Sequence, residues 1–327
     1  MSELLYKPVY TNTDEIVNLT VKIAALADAL NIKSTMQQSL KLRRANRIKS
    51  VHSSLAIENN SLSLEQVTAV INGKKVLAPP QDICEVKNAF EAYNNLLAFN
   101  PYDIDDLQAA HLILMQDLVQ HPGRFRTGAI GVVKGQEVVH IAPRADMVSG
   151  LIADLLKWTQ KSKAHPLIKS CVFHYEFEFV HPFADGNGRM GRMWQTLLLY
   201  KWKSIFAWLP IETIIMQHQS QYYTALGNSN DKGDCTEFVE FMLRRILETL
   251  QKHTDQVSDQ ESDQVERLLS ALGSKTLSAN ELMQKLNLKH KPTFRKNYIN
   301  PALEKNLIVM TLPDKPNSSN QKYKKNF

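Results

Sequence analysis

The sequence predicts a mainly α protein that carries one β-hairpin and ends in a winged helix-turn-helix. Three observations predict it. Long stretches place apolar residues at helical spacing with few breakers, one pair of β-branched runs flanks Lys134-Gly135-Gln136, and a basic Pro/Asn/Ser-rich tail follows three further helical segments. With 327 residues and 43% hydrophobic content, the chain is long enough for more than one core.

The elements follow in order. Segment 34–58, "STMQQSLKLRRANRIKSVHSSLAIE", has neither Gly nor Pro and stops at "NNS", so it is expected as a helix; its part 35–57 could serve a homodimer as readily as a core. Ser63 with Gln66 makes a capping box before "LEQVTAVING", which Gly73 closes. Helices are expected again over "QDICEVKNAFEAYNNLLAF", "DIDDLQAAHLILMQDLV", "ADMVSGLIADLLKWTQ" and "TEFVEFMLRRILETLQK". The hairpin is expected over 129–141. "CVFHYEFEFV" reads two ways. Phe173, Tyr175, Phe177 and Phe179 alternate as in a strand, while Phe173, Phe177 and Val180 share one helical face behind Pro166. "KHTDQVSDQESDQVERL" is polar and repetitive, so a linker and a boundary near residue 255 are expected there. Beyond it come helices over 262–272, 278–286 and 292–305, then a strand, a loop and a short polar strand. The expected domains are 1–100, 101–254 and 255–327.

Composition excludes several classes. No run of eighteen apolar residues exists, so no membrane span is expected. The start lacks a basic stretch followed by an apolar one, so no signal peptide is expected. Cys84, Cys171 and Cys235 are odd in number and far apart, which fits reduced cysteines in a cytoplasmic protein rather than disulfides or a CxxC metal site. The net charge is +6, but residues 289–327 hold nine Lys/Arg against two acidic residues, or +7, leaving −1 for the rest. The basicity belongs to the tail.

The chemistry concentrates in "HPFADGNGRMGR", His181 to Arg192. Gly186, Gly188 and Gly191 spell G-x-G-x-x-G, but no βαβ unit surrounds them, and Glu212, the nearest acidic residue for the position a dinucleotide site needs about twenty residues on, is placed late. Read singly, the residues suit nucleotide phosphates. Glycines opening a helix let an anion approach several backbone N–H groups. Arg189 and Arg192 lie three apart and can each grip a phosphate bidentately. Asp185 is a hard oxygen ligand for Mg²⁺. His181 can take a proton near neutral pH. Phe183 suits an apolar peg.

These twelve residues match the signature H-x-F-x-[DE]-G-N-G-R-x-x-R at every specified position, and the chain resembles the Fic (filamentation induced by cAMP) family. The resemblance implies a Fic-type helical domain in which the loop joins two helices. It implies AMP transfer from ATP to a Ser, Thr or Tyr hydroxyl of a target protein, or of the enzyme itself. By that resemblance His181 is the base and Asp185 holds Mg²⁺. Gly186, Asn187, Gly188, Arg189, Met190, Gly191 and Arg192 line the phosphates, with Arg192 on the γ-phosphate. The hairpin resembles the family's flap, whose edge (Val132, Val133, Val138, Val139, His140) could pair with a target segment. Ser54, Glu58 and Asn59 in "SSLAIENN" fit the inhibitory motif [ST]-x-x-x-E-[GN], which implies that Glu58 occupies Arg192 until it is relieved. "MQHQSQYYTAL" resembles the segment over the adenosine, with Tyr222 or Tyr223 near adenine; His218 stands where relatives often have asparagine. The tail resembles an attached winged helix whose Lys289, Lys291, Arg295 and Lys296 would meet DNA, or which binds a protein. Transfer of another phosphate-containing group, or a nucleotide-sensing DNA-binding regulator, stays open at this point.

Overall fold

Helix follows helix from Asp14 onward. The computed structural model describes residues 6–37, 40–129, 131–134 and 137–326. Its elements are α1 (Asp14–Gln37), α2 (Leu40–Ile57), α3 (Leu64–Ile71), α4 (Pro80–Asn95), α5 (Ile104–Met115), β1 (Gly131–Lys134), β2 (Glu137–Ile141), α6 (Val148–Lys161), α7 (Pro166–Val180), α8 (Asn187–Trp202), α9 (Ile211–Gln217), α10 (Gln219–Lys232) and α11 (Thr236–Leu272). Then come β3 (Leu277–Ser278), α12 (Ala279–Lys285), α13 (Lys291–Phe294), α14 (Asn300–Glu304), β4 (Ile308–Met310) and β5 (Lys322–Lys325). The chain divides into two units, Met1–Ser34 with Gln38–Leu250, and Thr35–Gln37 with Gln251–Phe327.

The first unit is built around α7 and α8. Pro166 opens α7, where its missing N–H costs nothing, and the His165 ring accepts the Leu167 N–H. Phe173, Tyr175 and Phe177 are all buried. A helix enclosed on nearly every side needs apolar residues all round, so period-two spacing carried no strand information here. The capping box at Ser63 and Gln66 is present in full.

Two expectations need correction. α1 precedes the first expected helix, and residues 34–37 end α1 rather than start α2. Its buried stripe Ile16, Leu19, Ile23, Ala27 and Leu30 has helical spacing, which exposed Val17 and Val21 obscure. The expected linker is helical as well, since α11 runs unbroken from Thr236 to Leu272. Its Asp, Gln, Ser and Glu lower hydropathy, yet the stretch holds no Gly or Pro to break a helix.

The second unit has its own core, with Leu268, Leu272, Leu282, Phe294, Ile299, Ile308 and Tyr323 among its buried residues. Ser278 and Glu281 form a capping box on α12. A short π-helical turn, Arg295–Ile299, joins α13 to α14. β5 is the central strand, antiparallel to both β3 and β4. This arrangement is compatible with the expected winged helix. Among the described residues, no helix is long and apolar enough to cross a membrane.

Candidate functional site

The site is assembled where α7 turns into α8. His181 ends α7 in the left-handed conformation, φ 50° and ψ 60°, which a non-glycine residue adopts only when its surroundings enforce it. Its N–H bonds to the Phe177 carbonyl at 3.0 Å, and its own carbonyl accepts from Arg126 Nε at 2.7 Å. Arg126 is buried, and its guanidinium also donates to the carbonyls of Gly128, Pro143 and Val180. One side chain thereby ties the histidine to both ends of the hairpin segment. The His181 ring places Nδ1 3.3 Å from the Glu178 carbonyl. With the proton on Nδ1 donated there, Nε2 is the atom with a lone pair, a tautomer assigned from the bonding pattern.

Below the histidine the loop is braced from inside. Phe183 is buried and stacks flat on His111, centroids 3.6 Å apart and planes within 6°. His111 accepts the Gly123 N–H at Nδ1 (2.8 Å), so Nε2 carries the proton it gives to the Asp185 carbonyl at 3.0 Å. Burial pushes the His111 pKa down to about 4, which keeps the ring neutral in this role. Asn187 closes the turn with its side chain: Oδ1 accepts the Phe183 N–H and Nδ2 donates to the Phe183 carbonyl, both at 2.9 Å. Its amide group thus shapes the loop.

Gly186 sits at φ 83°, and a Cβ there would lie 2.6 Å from Met115 Sδ. Gly186→Ala is expected to destabilise the first unit by at least about 1–2 kcal/mol, the cost of a left-handed alanine before any clash is relieved. Urea denaturation checks this; an unchanged midpoint would contradict it.

The charges are arranged around the first turn of α8. Asp185 Oδ1 accepts the Gly186 N–H at 2.6 Å, and both its oxygens are 3.2 Å from Arg189 Nη2. Arg189 is 5% exposed and is also paired through Nη1 with Glu85 Oε1 at 3.2 Å. Arg192 is 2% exposed. Its Nε donates to Ser54 Oγ at 3.2 Å, and its Nη2 donates to the Ser54 carbonyl at 3.0 Å and to Glu58 Oε1 at 2.7 Å. Burial is the largest single effect and would lower the Arg192 pKa, but Glu58, Tyr222 and Glu178 together outweigh it and the net shift is upward. Glu178 is the mirror case: burial raises its pKa, but His174, His181 and Arg192 together bring it below the ordinary value.

Glu58 is held at a helix end that its neighbours define. Asn59 takes the left-handed conformation (φ 67°), its N–H bonds to the Ala56 carbonyl, and the Asn60 N–H bonds to the Leu55 carbonyl. That is a Schellman ending, and it explains why only Gly or Asn suits the position after the glutamate. The carboxylate lies against the α8 start, since a Cβ on Gly188 would overlap Glu58 Oε1.

The structure therefore brings together His181, Asp185, Gly186, Asn187, Gly188, Arg189, Arg192, Ser54, Glu58 and Asn59. Met190 is wholly buried, and Gly191 lies against His174 and Glu178, where a Cβ would meet both at 3.1 Å. Tyr222 is core: it is 1% exposed and its hydroxyl bonds to His174 Nε2 at 3.0 Å. Tyr223 is 42% exposed and donates to the Ile57 carbonyl at 3.3 Å, next to Glu58. His218 is paired with Glu248, Nε2 to Oε2 at 3.4 Å. In the hairpin, Val132 pairs with His140 and Val133 with Val138 on the backbone, with a register shift between them. The turn residues Gly135 and Gln136 lie outside the described residues, as do the side chains of Val132, Val133, Val138, Val139 and His140. In the second unit Lys289, Lys291 and Lys296 are exposed. Arg295 instead bonds to Asn317 Oδ1 and the Pro316 carbonyl, so it holds the loop between β4 and β5. Residue reading missed Arg126, His111, Glu85 and Asn60. Only Arg126 left a local trace, in "PGRFR" before the hairpin.

Helices on both sides of the glycines rule out a strand-turn-helix dinucleotide loop and leave a helix-loop-helix. The chain belongs to the Fic family. A solved Fic family protein from Desulfovibrio desulfuricans G20 is 48% identical to it, covers 98% of both chains and superposes with a TM-score of 0.75. The Fic/DOC family matches residues 101–199, and the Filamentation induced by cAMP protein Fic-like, C-terminal domain, matches residues 263–325. Protein adenylyltransferase fic-1 of Caenorhabditis briggsae is 29% identical over 243 residues, covering 69% of this chain and 45% of that protein. The chain thus spans about half the length of the curated relatives it matches. Fic-1 from C. elegans, at 23% identity and a TM-score of 0.59 over 73% of this chain and 71% of that one, shares the fold.

Proposed function

We propose that the chain is a self-inhibited protein adenylyltransferase. The observation that carries this reading is the Glu58 carboxylate, which lies on Arg192 and against the α8 start, where a nucleotide's terminal phosphates would otherwise go. Relatives named protein adenylyltransferase support the reaction class. ATP would seat its phosphates on the α8 start, Arg189 and Arg192. His181 Nε2 would take the proton of a target hydroxyl as that oxygen bonds to the α-phosphorus. The bond from the α-phosphorus to the bridging oxygen breaks, and pyrophosphate leaves with the electron pair. Most of the work is positioning and charge stabilisation.

Asp185 is the residue that would hold Mg²⁺. Its side chain is 62% exposed and supplies a hard oxygen, and among the described residues no cluster of three or more acidic, His or Cys side chains could hold a metal ion. Mg²⁺ fits such a donor set because it takes one or two carboxylates and draws its other ligands from water and phosphate. When bound it would neutralise charge between the phosphates.

The flap edge would present the target hydroxyl, and the chain would also modify itself. Tyr223, beside the inhibitory turn, is kept as the adenine-side tyrosine. Labelled ATP tests the reaction. Label at the α-phosphorus should pass to protein and label at the γ-phosphorus should not; the reverse pattern would mean phosphate transfer. The three free cysteines fit a cytoplasmic setting. For the second unit we propose DNA phosphates as the partner of Lys289, Lys291 and Lys296. A gel shift should then weaken steeply between low and moderate salt; salt-independent binding would point to a protein partner.

A further inference from the structure

Beside the ion pair of Glu58 with Arg192 lies a second connection between the inhibitory turn and the phosphate loop. Asn60, two residues past Glu58, donates from Nδ2 to Glu85 Oε2 at 2.8 Å and to the Asp82 carbonyl at 3.2 Å. The other oxygen of the same carboxylate, Glu85 Oε1, is 3.2 Å from Arg189 Nη1. Glu85 is 12% exposed at its side chain and Arg189 6%, so water screens the pair little. The Ser61 N–H adds a bond to Asp82 Oδ2 at 3.0 Å, so the chain after Glu58 is fastened to the first turns of α4.

We propose that Glu85 is a positioning residue that joins the inhibitory turn to the nucleotide loop. One oxygen fixes the turn that aims Glu58, and the other fixes the arginine that meets the phosphates. The inference rests on the adenylyl-transfer reading.

Two consequences follow from the geometry. Arg189 now shares its charge between Asp185 and Glu85. When Asp185 turns to a cation, Glu85 is the carboxylate that keeps the guanidinium in place, so the arginine is ready before nucleotide arrives. The turn, meanwhile, stays anchored when Glu58 lets go of Arg192. Release is then a side-chain movement, without unwinding of the end of α2. Cutting the Asn60 side of the connection should loosen inhibition; cutting the Glu85 side should in addition weaken nucleotide binding.

The test uses the full chain and four variants: Asn60→Ala, Glu85→Ala, and each combined with Glu58→Gly. Transfer rates and the KM for ATP are measured, together with hydrogen exchange of amides 58–62 without nucleotide. Asn60→Ala alone should raise transfer by about tenfold, the worth of one hydrogen bond to a charged group, and should change nothing in the Glu58→Gly background. Glu85→Ala should still raise the KM for ATP in that background, by about tenfold on the same basis. Both single variants should speed exchange at 58–62. A merely structural role would instead lower transfer in both backgrounds, and that result overturns the proposal. Unchanged exchange at 58–62 in Glu85→Ala overturns it as well, whatever the transfer rates. Absence of transfer in Glu58→Gly itself would sink the reaction reading, while exchange and ATP binding still decide the connection.

Discussion

Glu58→Gly is expected to raise the rate of AMP transfer by about 30- to 100-fold, equivalent to about 2–3 kcal/mol. In the proposed reaction the carboxylate would donate nothing; it occupies a guanidinium. Arg192 is buried, so its bond to Glu58 at 2.7 Å forms where water competes weakly, and an entering phosphate must displace that carboxylate first. Glu58 is itself a third exposed at its side chain, which keeps the displacement possible and holds the expected gain below that of a fully buried pair. Glycine also leaves the helix ending intact, because the left-handed position belongs to Asn59. Glu58→Gln should fall between the two: it keeps the shape over Gly188 and loses the charge. Initial rates of label incorporation at fixed Mg²⁺ and ATP check the order glycine, glutamine, glutamate.

The opposite effect is expected at His181. Replacing it in the Glu58→Gly background should lower transfer by about 100- to 10,000-fold, the usual worth of a general base. Alanine would strain the backbone at φ 50°, so His181→Asn is the better variant: asparagine tolerates the left-handed region and cannot take the proton. ATP binding should survive, because in the proposed mode the phosphate groups would be met by α8 and its arginines. Titration calorimetry of the variant with Mg²⁺ and ATP separates the two effects. Loss of binding together with transfer would show that His181 shapes the loop and does no proton chemistry.

The candidate site was legible because its residues are contiguous and each type is fixed by one demand. Gly186 answers a left-handed turn, Asn187 the closure on Phe183, and Arg189 and Arg192 the helical period that turns both inward. The proposed inhibitory group was legible for a similar reason. Ser54 and Glu58 lie one helical turn apart and reach the same guanidinium, and Asn59 supplies the ending. The bracing of the loop was not legible. His111 and Arg126 act on residues 74 and 55 positions away, and no local pattern encodes such a pairing. Tyr222 and Tyr223 could not be told apart in the sequence because a tyrosine beside a binding segment and a tyrosine in a core share one letter; burial against His174 places Tyr222 in the core. Polar residues 252–268 read as a linker because hydropathy cannot tell a solvated helix from a flexible chain.

Intact-mass spectrometry after incubation with Mg²⁺ and ATP tests the central claim most directly. The Glu58→Gly protein should gain the mass of one or more AMP groups, the natural sequence far less, and the Glu58→Gly, His181→Asn double variant none. Equal AMP adducts on the natural and Glu58→Gly chains, or an adduct with the mass of phosphate, would contradict the account.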